Sequence, residues 1–390
     1  MIIFEIYTIL FLSFWILFFM RISILSMSVR LLDKIETSKW MNKNFPGVSI
    51  IVTACNEEST IESALTSLLN MDYPDYEVIA VNDRSTDKTA EILKKLSKKY
   101  KKLHVLHIKT LPEGWLGKVH ALDCGVKKAS KKWMLFTDAD VHYSESALKK
   151  CIIHSELNNL DHFTVAPRMT AGSFLLKIMF RTFSFMFIFI AKGIPEIFRK
   201  NIAVGVGAFN LVRKQTFDKT EGFPWLKMEV ADDVGLALMF KRAGAKTDFA
   251  FSIMEIQVAW YHSFMEMVRG LEKNIFGVST GYKLGKAYID QLLSILLFCS
   301  IPAAAFSDNP VIILMLALVL FFLVLSAFIH FLRFNESFTA SLFVPFGFIL
   351  LTFINLRAGI LCMRNGGIRW RGTFYKIEEL KASQRVRTSF

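Results

Sequence analysis

The segment Trp133–Asp140, with the sequence WMLFTDAD, constrains the fold of this chain more than any other. It is an apolar run without an ionisable side chain until it ends in two aspartates, Asp138 and Asp140. Such a run is typical of a buried parallel strand, and an open α/β sheet binds its ligand at the carboxyl ends of its strands. Two carboxylates at this place repel each other, so the pair predicts a bound divalent cation with oxygen ligands.

The region before this segment alternates strand and helix patterns. The β-branched apolar runs are GVSIIVTACNE, YEVIAVND, KLHVLHI and WMLFTDAD. Segments with helical spacing lie between them, at Ser59–Asn70, Asp87–Tyr100 and Gly117–Ala129. Strands that alternate with helices of this length predict an α/β fold with a doubly wound parallel sheet and a nucleotide site at the strand ends.

Polar side chains follow three of the predicted strands. Asn56 and Glu57 follow the first, Asp83 ends the second, and Asp138 and Asp140 end the fourth. Because the carboxyl ends of parallel strands meet at one edge of a sheet, we expect these groups to lie close together. That edge can hold the base and ribose of a nucleotide, and then a metal ion and a diphosphate.

Three later segments add candidate contacts to the same edge. Lys118 follows a turn-rich segment and begins a predicted helix, so its charge and the helix N-terminus favour a phosphate. The segment Gly205–Asn210 predicts a glycine-rich strand where the backbone can approach a ligand closely. Asp232 and Asp233 open another predicted helix, where acids are also common as caps and first-turn residues.

The hydropathy predicts a soluble domain attached to membrane helices. The 390 residues are 53% hydrophobic and 21% charged, which is too apolar for an ordinary soluble enzyme and too charged for an all-membrane bundle. Residues 1–30 contain an apolar segment followed by Arg21 and Arg30, which predicts an uncleaved transmembrane anchor. The positive-inside rule then places the next domain, residues 45–285, in the cytoplasm. The net charge of +13 favours a membrane surface as partner and no nucleic acid.

The C-terminal membrane region, residues 286–363, contains three apolar stretches, at Ile289–Phe306, Val311–Phe331 and Phe338–Met363. The second predicts a span, whereas the total number, two or three, stays open because the first is short and the third contains polar residues. Three spans would place the basic tail, residues 364–390, outside the cell, and two would keep it in the cytoplasm, which we favour. The chain is thus predicted to be a multi-pass protein of the cell (inner) membrane.

Residues 174–191 form another apolar segment. A span there would separate Asp140 from Asp233 across the bilayer, and Lys177 and Arg181 interrupt the apolar run. We therefore expect an amphipathic helix in the membrane interface, beside the site, where it would admit a ligand from the lipid phase. A buried core helix is the alternative.

Five motifs, in order, resemble those of inverting family 2 glycosyltransferases with a GT-A fold: VNDRSTD, GWLGKVHAL, FTDAD, GVGAFNLVRK and ADDVGLAL. With the tail GGIRWRGTFY, they are most similar to membrane-anchored bacterial enzymes that glycosylate lipids such as hopanoids and carotenoids, and ceramide glucosyltransferase is a more distant relative. The Q-x-x-R-W signature of processive synthases is missing, and Val268–Asn274 stands in its place.

The resemblance implies a site for a nucleoside diphosphate sugar, with Mg²⁺ or Mn²⁺ as cofactor. Asp83 would contact the base, with Asn56 and Glu57 near the base or ribose. Lys118 would lie near the diphosphate. The metal ligands would be Asp138 and Asp140, the latter being the more direct.

The resemblance also implies the reaction, a metal-dependent, inverting transfer of the sugar to a hydroxyl of a membrane lipid. Asp233 matches the catalytic base of the family, and Asp232 stands where glutamate is commoner. Four residues are candidates for the acceptor side: Trp115, Gly207, Arg269 and Lys273. Arg269 and Lys273 are equally well explained as a basic face at the interface.

Two other functions remain open from the sequence. A non-catalytic membrane scaffold, or a subunit that binds a sugar nucleotide, could keep the same fold. The presence of Asp83, Asp138, Asp140 and Asp233 together favours an enzyme, because a scaffold needs none of them. A processive polysaccharide synthase is disfavoured by the missing signature and by the small number of C-terminal apolar stretches.

Overall fold

A seven-stranded sheet lies at the centre of the computed structural model, which describes residues 2–38, 44–194 and 202–386. One half consists of four parallel strands in the order β3-β2-β1-β4. They are β1 (Val48–Ala54), β2 (Tyr76–Asp83), β3 (Leu103–Ile108) and β4 (Trp133–Asp138). Every residue of β1 is buried, which explains why this strand is apolar or β-branched in sequence apart from Ser49.

The helices predicted between these strands are confirmed. They are α2 (Ile61–Leu69), α3 (Thr89–Lys99) and α4 (Gly117–Val126). Neighbouring residues of β1 point to opposite faces, so Ile50 belongs to one hydrophobic core and Ile51 to another. Both faces of the sheet are therefore covered, as a doubly wound fold requires.

The other half of the sheet is mixed rather than wholly parallel. The order continues as β4-β8-β6-β9, with β8 antiparallel to both of its neighbours and β6 parallel to β9. The remaining strands form small sheets in the orders β5-β10-β7 and β11-β12. Their bounds are β5 (Val141–Tyr143), β6 (His162–Ala166), β7 (Arg168–Met169), β8 (Asn210–Arg213), β9 (Thr247–Phe251), β10 (Ile256–Val258), β11 (Gly367–Trp370) and β12 (Thr373–Lys376).

The prediction of a strand over Gly205–Asn210 is wrong. Residues 202–206 are irregular, a turn follows at 207–208, and β8 begins only at Asn210. A Cβ atom on Gly205 would lie 1.9 Å from the carbonyl oxygen of Asp233. The segment therefore packs closely against the start of a helix, where a side chain would not fit.

The remaining helices follow in chain order: α1 (Ile2–Ser28), α5 (Ala147–Leu157), α6 (Phe174–Ile188), α7 (Lys214–Phe217), α8 (Asp232–Arg242), α9 (Phe264–Leu271), α10 (Ile275–Thr280), α11 (Leu284–Ala304), α12 (Pro310–Phe334), α13 (Phe338–Leu342), α14 (Val344–Asn365) and α15 (Ile377–Ser383). Two short 3₁₀ helices, Leu32–Lys34 and Phe223–Leu226, and a π-helical turn, Phe189–Gly193, complete the set of helices in the described ranges.

Five helices in the described part of the chain are long and apolar enough to cross a membrane: α1, α6 with its extension to Gly193, α11, α12 and α14. The C-terminal region thus has three such helices, and the first begins at Leu284, before the predicted Ile289. The side of the membrane on which the tail lies stays a prediction, and residues 387–390 of the tail fall outside the described ranges.

Helix α6 differs from the other four in its surroundings. In an apolar stretch of 18 residues taken from each helix, 56% of the stretch is buried for α6 and its extension, against 28% for α1, α11 and α12. It packs against α13 and α14, and Arg181 is buried on it, whereas Lys177 is exposed. Its predicted place in the membrane interface stays a prediction.

A third hydrophobic core joins the membrane-length helices to the sheet. It contains Phe19 of α1, Phe185 of α6 and Phe251 of β9, all buried. The α/β domain is therefore packed directly against the apolar helices rather than connected to them by a free linker.

Candidate active site

Residues from distant parts of the sequence meet at the carboxyl end of β4. Lys118, in the first turn of α4, places its Nζ 2.9 Å from Oδ1 of Asp138 and 3.3 Å from Oδ2 of Asp232. Asp138 ends β4, and Asp232 and Asp233 begin α8. The predicted convergence of the lysine with three aspartates is thus present, and we name these four residues the charged cluster.

The charges within this cluster shift each other's protonation. Burial alone would lower the pKa of Lys118, but Asp138, Asp232 and Asp233 raise it above its ordinary value. Burial raises the pKa of Asp232 to about 7, and the charges of Asp233 and Asp138 act in the same direction against Lys118. Within the cluster three carboxylates face one ammonium group, so an additional positive charge beside the cluster would stabilise the ionised carboxylates.

Asp233 is held by the backbone. Its Oδ2 accepts a hydrogen bond of 2.8 Å from the N–H of Gly207, and its Oδ1 accepts one of 2.8 Å from Val234. Burial raises the pKa of Asp233, with the charge of Asp138 adding to the effect, whereas Lys118 and these two N–H groups oppose it. A Cβ atom on Gly207 would lie 2.8 Å from Oδ2 of Asp138, so only a glycine fits between the two carboxylates without displacement.

Asp140 lies beside the cluster in a turn after β4. Burial raises its pKa to about 7, and the charges of Asp138 and Glu57 act in the same direction. A carboxylate that is destabilised by its neighbours in this way fits a position next to a cation. The described residues contain no group of three or more His, Cys, Asp or Glu side chains arranged as metal ligands. Oxygen atoms from Asp138 and Asp140 would therefore form part of a metal site that needs further ligands.

The ends of β1 and β2 are connected by a side chain predicted to contact the nucleotide. Asn56 has a left-handed backbone, with φ of 57°. Its backbone N–H donates to Oγ of Ser85 at 3.0 Å, and its side-chain oxygen accepts from the N–H of Thr86 at 2.8 Å. Asn56 therefore fixes the relative position of two strand-end loops, and its own side chain is used in doing so.

Asp83 is buried at the end of β2, as predicted, but its carboxylate is already paired. Nε and Nη2 of Arg84 donate to its two oxygens at 2.7 and 2.9 Å. A Cβ atom on Gly117 would meet Oδ2 of Asp83 at 2.4 Å, so the pair packs tightly against the start of α4. The predicted contact of Asp83 with a nucleotide base stays a prediction.

The C-terminal hairpin, formed by β11 and β12, reaches back over the strand ends. At its turn, Nη2 of Arg371 donates to Oε1 of Glu57 at 2.6 Å, and Nη1 donates to the carbonyl oxygen of Cys55. The neighbouring Trp370 lies under the ammonium of Lys273, 4.9 Å from its Nζ. The hairpin thus contributes an arginine and an aromatic ring, and the ring meets Lys273, which comes from the segment between α9 and α10.

Lys273 lies close enough to Lys118 and Arg371 for their charges to act on it. Burial lowers the pKa of Lys273, and the positive charges of Lys118 and Arg371 lower it further. Burial alone would raise the pKa of Asp138, but Lys118, with smaller contributions from Lys273 and Arg371, lowers it below its ordinary value. Three cationic side chains from separate elements therefore surround this carboxylate, an arrangement suited to a polyanion such as a diphosphate.

A cavity of about 410 Å³ connects this region with α6 and α12. Lys118, Asp138, Asp140, Asp233, Gly207, Lys273 and Trp370 line one part of it. Side chains of α6 and of the end of α12, with Trp260, line the other part. The charged cluster is therefore continuous with a largely apolar space beside the membrane-length helices.

Two predicted acceptor-side residues lie away from the cavity. Trp115 contacts the ring of His120, with ring centroids 5.4 Å apart, and the ammonium of Lys227 lies 5.1 Å from its ring. Arg269 is exposed on α9. Neither residue lines the cavity, whereas Gly207 and Lys273 do.

Arg371 and Trp370 lie at the candidate site although no sequence motif predicted them there. The signal was the tail GGIRWRGTFY, which directly follows the last apolar stretch and combines glycines, arginines and an aromatic residue. Arg371 is separated from Glu57 by 314 positions, so no local pattern predicts that they meet.

The sheet order and the groups at its carboxyl edge define an α/β nucleotide-binding fold of the GT-A type, in agreement with the predicted fold class. Residues 49–220 match the sequence model described as Glycosyl transferase family 2. The chain therefore contains a family 2 glycosyltransferase domain.

Curated relatives include enzymes with different products. The chain is 37% identical over 101 residues to the poly-beta-1,6-N-acetyl-D-glucosamine synthase of Staphylococcus epidermidis, which is 26% of this chain and 23% of that protein. It is 38% identical over 112 residues to the beta-monoglucosyldiacylglycerol synthase of Trichormus variabilis, which is 28% of this chain and 24% of that protein. The matches thus span about a quarter of the length of these relatives.

Among solved structures, the chain is similar to the mannosyltransferase PcManGT from Pyrobaculum calidifontis in complex with GDP-Man and Mn²⁺. The TM-score is 0.49 and the sequence identity 16%, with 92% of this chain and 98% of that chain covered.

Proposed function

We propose that the protein is an inverting, metal-dependent glycosyltransferase that moves a sugar from a nucleoside diphosphate sugar to a hydroxyl of a membrane lipid. One observation carries this proposal. The charged cluster, with Asp233 and Lys118, lines the same cavity as the side chains of α6. A single space thus adjoins both a polyanion site and an apolar wall.

Asp233 is the proposed general base. An inverting transfer is one displacement, in which the acceptor hydroxyl attacks the anomeric carbon while the nucleoside diphosphate leaves, so the hydroxyl needs a base within hydrogen-bond reach. The hydrogen bonds from Gly207 and Val234 fix the orientation of the Asp233 carboxylate. The raised pKa of Asp233 makes it a better proton acceptor than an ordinary aspartate.

Lys118, Lys273 and Arg371 are the proposed partners of the leaving group. Negative charge grows on the diphosphate as the glycosidic bond breaks, and preorganised cations around it lower the barrier. Lys118 is fixed by Asp138 and Asp232, and Arg371 is fixed by Glu57. These side chains therefore need little reorganisation when the charge develops.

Asp138 and Asp140 are the proposed protein ligands of Mg²⁺ or Mn²⁺. A bound ion would supply positive charge to the diphosphate oxygens and complete its ligand set with them. The raised pKa of Asp140 supports this assignment, because a carboxylate among other carboxylates is stabilised by an adjacent cation.

The acceptor is proposed to enter from the membrane, with the α/β domain on the cytoplasmic side. The apolar part of the cavity and the five membrane-length helices support a lipid acceptor. The similarity to a beta-monoglucosyldiacylglycerol synthase supports it further. Arg30 and Lys34, the basic residues that follow α1, favour the cytoplasmic side.

The test is transfer by the purified protein with a panel of nucleotide sugars, Mn²⁺ and a lipid extract. We expect one donor to yield a glycolipid that carries a single added sugar. A polymeric product would favour a polysaccharide synthase instead, which the similarity to the Staphylococcus epidermidis enzyme makes the second candidate. If no donor gives transfer and none shows metal-dependent nucleotide binding, both candidate functions are contradicted.

A further inference from the structure

The cavity has a second charged region, formed by residues outside the charged cluster. Arg181, in the middle of α6, places Nη2 2.8 Å from Oε1 of Glu336, which follows α12. The side chain of Arg181 is 3% exposed and that of Glu336 is 17% exposed. Both line the cavity. A buried ion pair on the wall of a largely apolar space is costly unless further polar groups are present.

Arg168, in β7, lines the same cavity and lies close enough to Glu336 for its charge to act on that carboxyl group. Its guanidinium contacts the sulfur of Met254 at 3.6 Å, and it forms no ion pair with another described residue. Burial raises the pKa of Glu336, and the charges of both Arg181 and Arg168 oppose that shift. Two guanidinium groups thus act on one carboxylate, which leaves one positive charge uncompensated.

A buried histidine adds an unpartnered polar atom. Nε2 of His330 lies 2.9 Å from Oγ of Ser26, whereas its Nδ1 has no hydrogen-bond partner within the described ranges. The residue is 1% exposed to solvent and lines the cavity. A buried polar atom without a partner favours a ligand that supplies one.

Much of the remaining wall of the cavity is apolar. It is supplied by side chains from the second half of α6, from the π-helical turn after it, from β9 and from α12, namely Phe183, Met186, Phe187, Ile190, Phe251 and Phe334. This part of the cavity therefore suits acyl or other hydrocarbon groups. A ligand that fits all of it has an apolar portion and one oxyanion.

We propose that Arg168 and Arg181 bind an acidic group, a phosphate or a carboxylate, in the head group of the acceptor lipid. This inference rests on the proposed function, because it names the chemical class of the acceptor that enters the cavity. The oxyanion would receive hydrogen bonds from guanidinium groups, which match its planar geometry. It would hold the lipid so that a neighbouring hydroxyl lies toward Asp233.

Binding without turnover tests this inference separately from catalysis. The full-length protein in a neutral alkyl maltoside is titrated with three lipids of similar chain length and measured by native mass spectrometry. The probes are phosphatidylglycerol, which carries a phosphate and hydroxyls, a hydroxy fatty acid, which carries a carboxylate, and diacylglycerol, which is neutral. We expect at least one acidic probe to bind about tenfold more tightly than diacylglycerol. The acidic probe with the higher affinity identifies the phosphate or the carboxylate as the natural group.

The main variant is Arg168→Gln, since Arg168 has no carboxylate partner that its loss would leave buried. We expect it to lose most of the preference for the acidic probe, with diacylglycerol binding unchanged. The matched control is Arg242→Gln, which removes an exposed arginine outside the cavity and keeps the preference. Equal affinities for acidic and neutral probes, or a preference that survives Arg168→Gln and Arg168→Glu, would overturn the proposal. A retained preference without transfer to any acceptor would contradict only the proposed function.

Discussion

The backbone N–H of Gly207 donates a hydrogen bond of 2.8 Å to Oδ2 of Asp233. The same glycine lies beside Asp138, so that a Cβ atom on it would be 2.8 Å from Oδ2 of that residue. One residue without a side chain thus separates the proposed base from a proposed metal ligand. The two carboxylates can perform different tasks because the backbone holds them apart.

Asp233→Asn is expected to abolish transfer while the donor still binds. An amide cannot accept the proton of the acceptor hydroxyl, and general bases contribute roughly 100- to 10,000-fold to rates. The measurement compares transfer rates with the donor affinity from a nucleotide-binding titration. Asp140→Ala is the comparison, because loss of a metal ligand should weaken donor binding itself. If Asp233→Asn loses donor affinity to the same extent, Asp233 is not the base.

Gly207→Ala is expected to reduce transfer strongly while the protein stays folded. The added methyl group would meet Oδ2 of Asp138 at 2.8 Å and Nζ of Lys118 at 3.4 Å, so the charged cluster must shift. The control is Gly172→Ala, since a Cβ atom there has no neighbour within 4 Å. Melting temperatures show whether each variant is folded. Activity of Gly207→Ala equal to that of the control would show that the spacing of the cluster is not critical.

The strands and their polar ends could be predicted because the information is local. In β1 every residue is buried, and the sequence is accordingly apolar apart from Ser49 and Thr53. Asp138 and Asp233 stand next to such patterns, at the end of a strand and at the start of a helix. The positions of these site residues along the chain therefore follow from simple periodicity.

The remaining parts of the site depend on contacts between distant segments. The ion pair of Arg181 and Glu336 joins a helix to a loop, and neither residue stands in a recognisable pattern. A strand was predicted for the segment that contains Gly205, but the structure shows irregular backbone there that packs closely against Asp233. A glycine-rich sequence does not reveal whether it pairs as a strand or fits under a neighbouring helix.

Arg371→Gln is expected to weaken donor binding about tenfold, because the C-terminal hairpin loses its contact with Glu57 and the diphosphate loses a cation. Glu57→Gln should weaken it as well. The side chains of Arg371 and Glu57 are 40% and 21% exposed, so we expect a coupling of only about 1 kcal/mol in a double-mutant cycle. Arg369→Gln, on the exposed face of the same hairpin, is the control and should bind the donor normally. Fully additive effects would show that the contact is not used.

His162 is expected to make the fold less stable in acid. Burial lowers its pKa from 6.5 to about 4, against the opposing hydrogen bond with Asn210. Between about pH 6.5 and pH 4, His162 is therefore protonated in the unfolded chain but neutral in the folded protein. The free energy of unfolding thus falls as the pH drops from about 6.5 toward 4. The effect is on the order of 3 kcal/mol.

His162→Gln should flatten this pH dependence, because the neutral amide can still donate to Asn210. His142→Gln, at an exposed histidine, should leave it unchanged. Denaturant titrations in detergent at several pH values measure the difference. An unchanged slope in His162→Gln would assign the acid sensitivity to other groups.

As the pH is lowered, the rate of transfer is expected to fall at a higher pH than it would if the base had the pKa of an ordinary aspartate. The base must be ionised, and burial together with the charge of Asp138 raises the pKa of Asp233, although Lys118 lowers it. Activity is therefore lost as the pH falls through this raised value rather than near 3.9. Lys118→Gln removes the opposing charge, so it should move the acid limb to still higher pH as well as weaken donor binding. Rates measured at saturating donor and metal across a pH series separate the two effects. An acid limb that stays in place in Lys118→Gln would show that Asp233 does not control it.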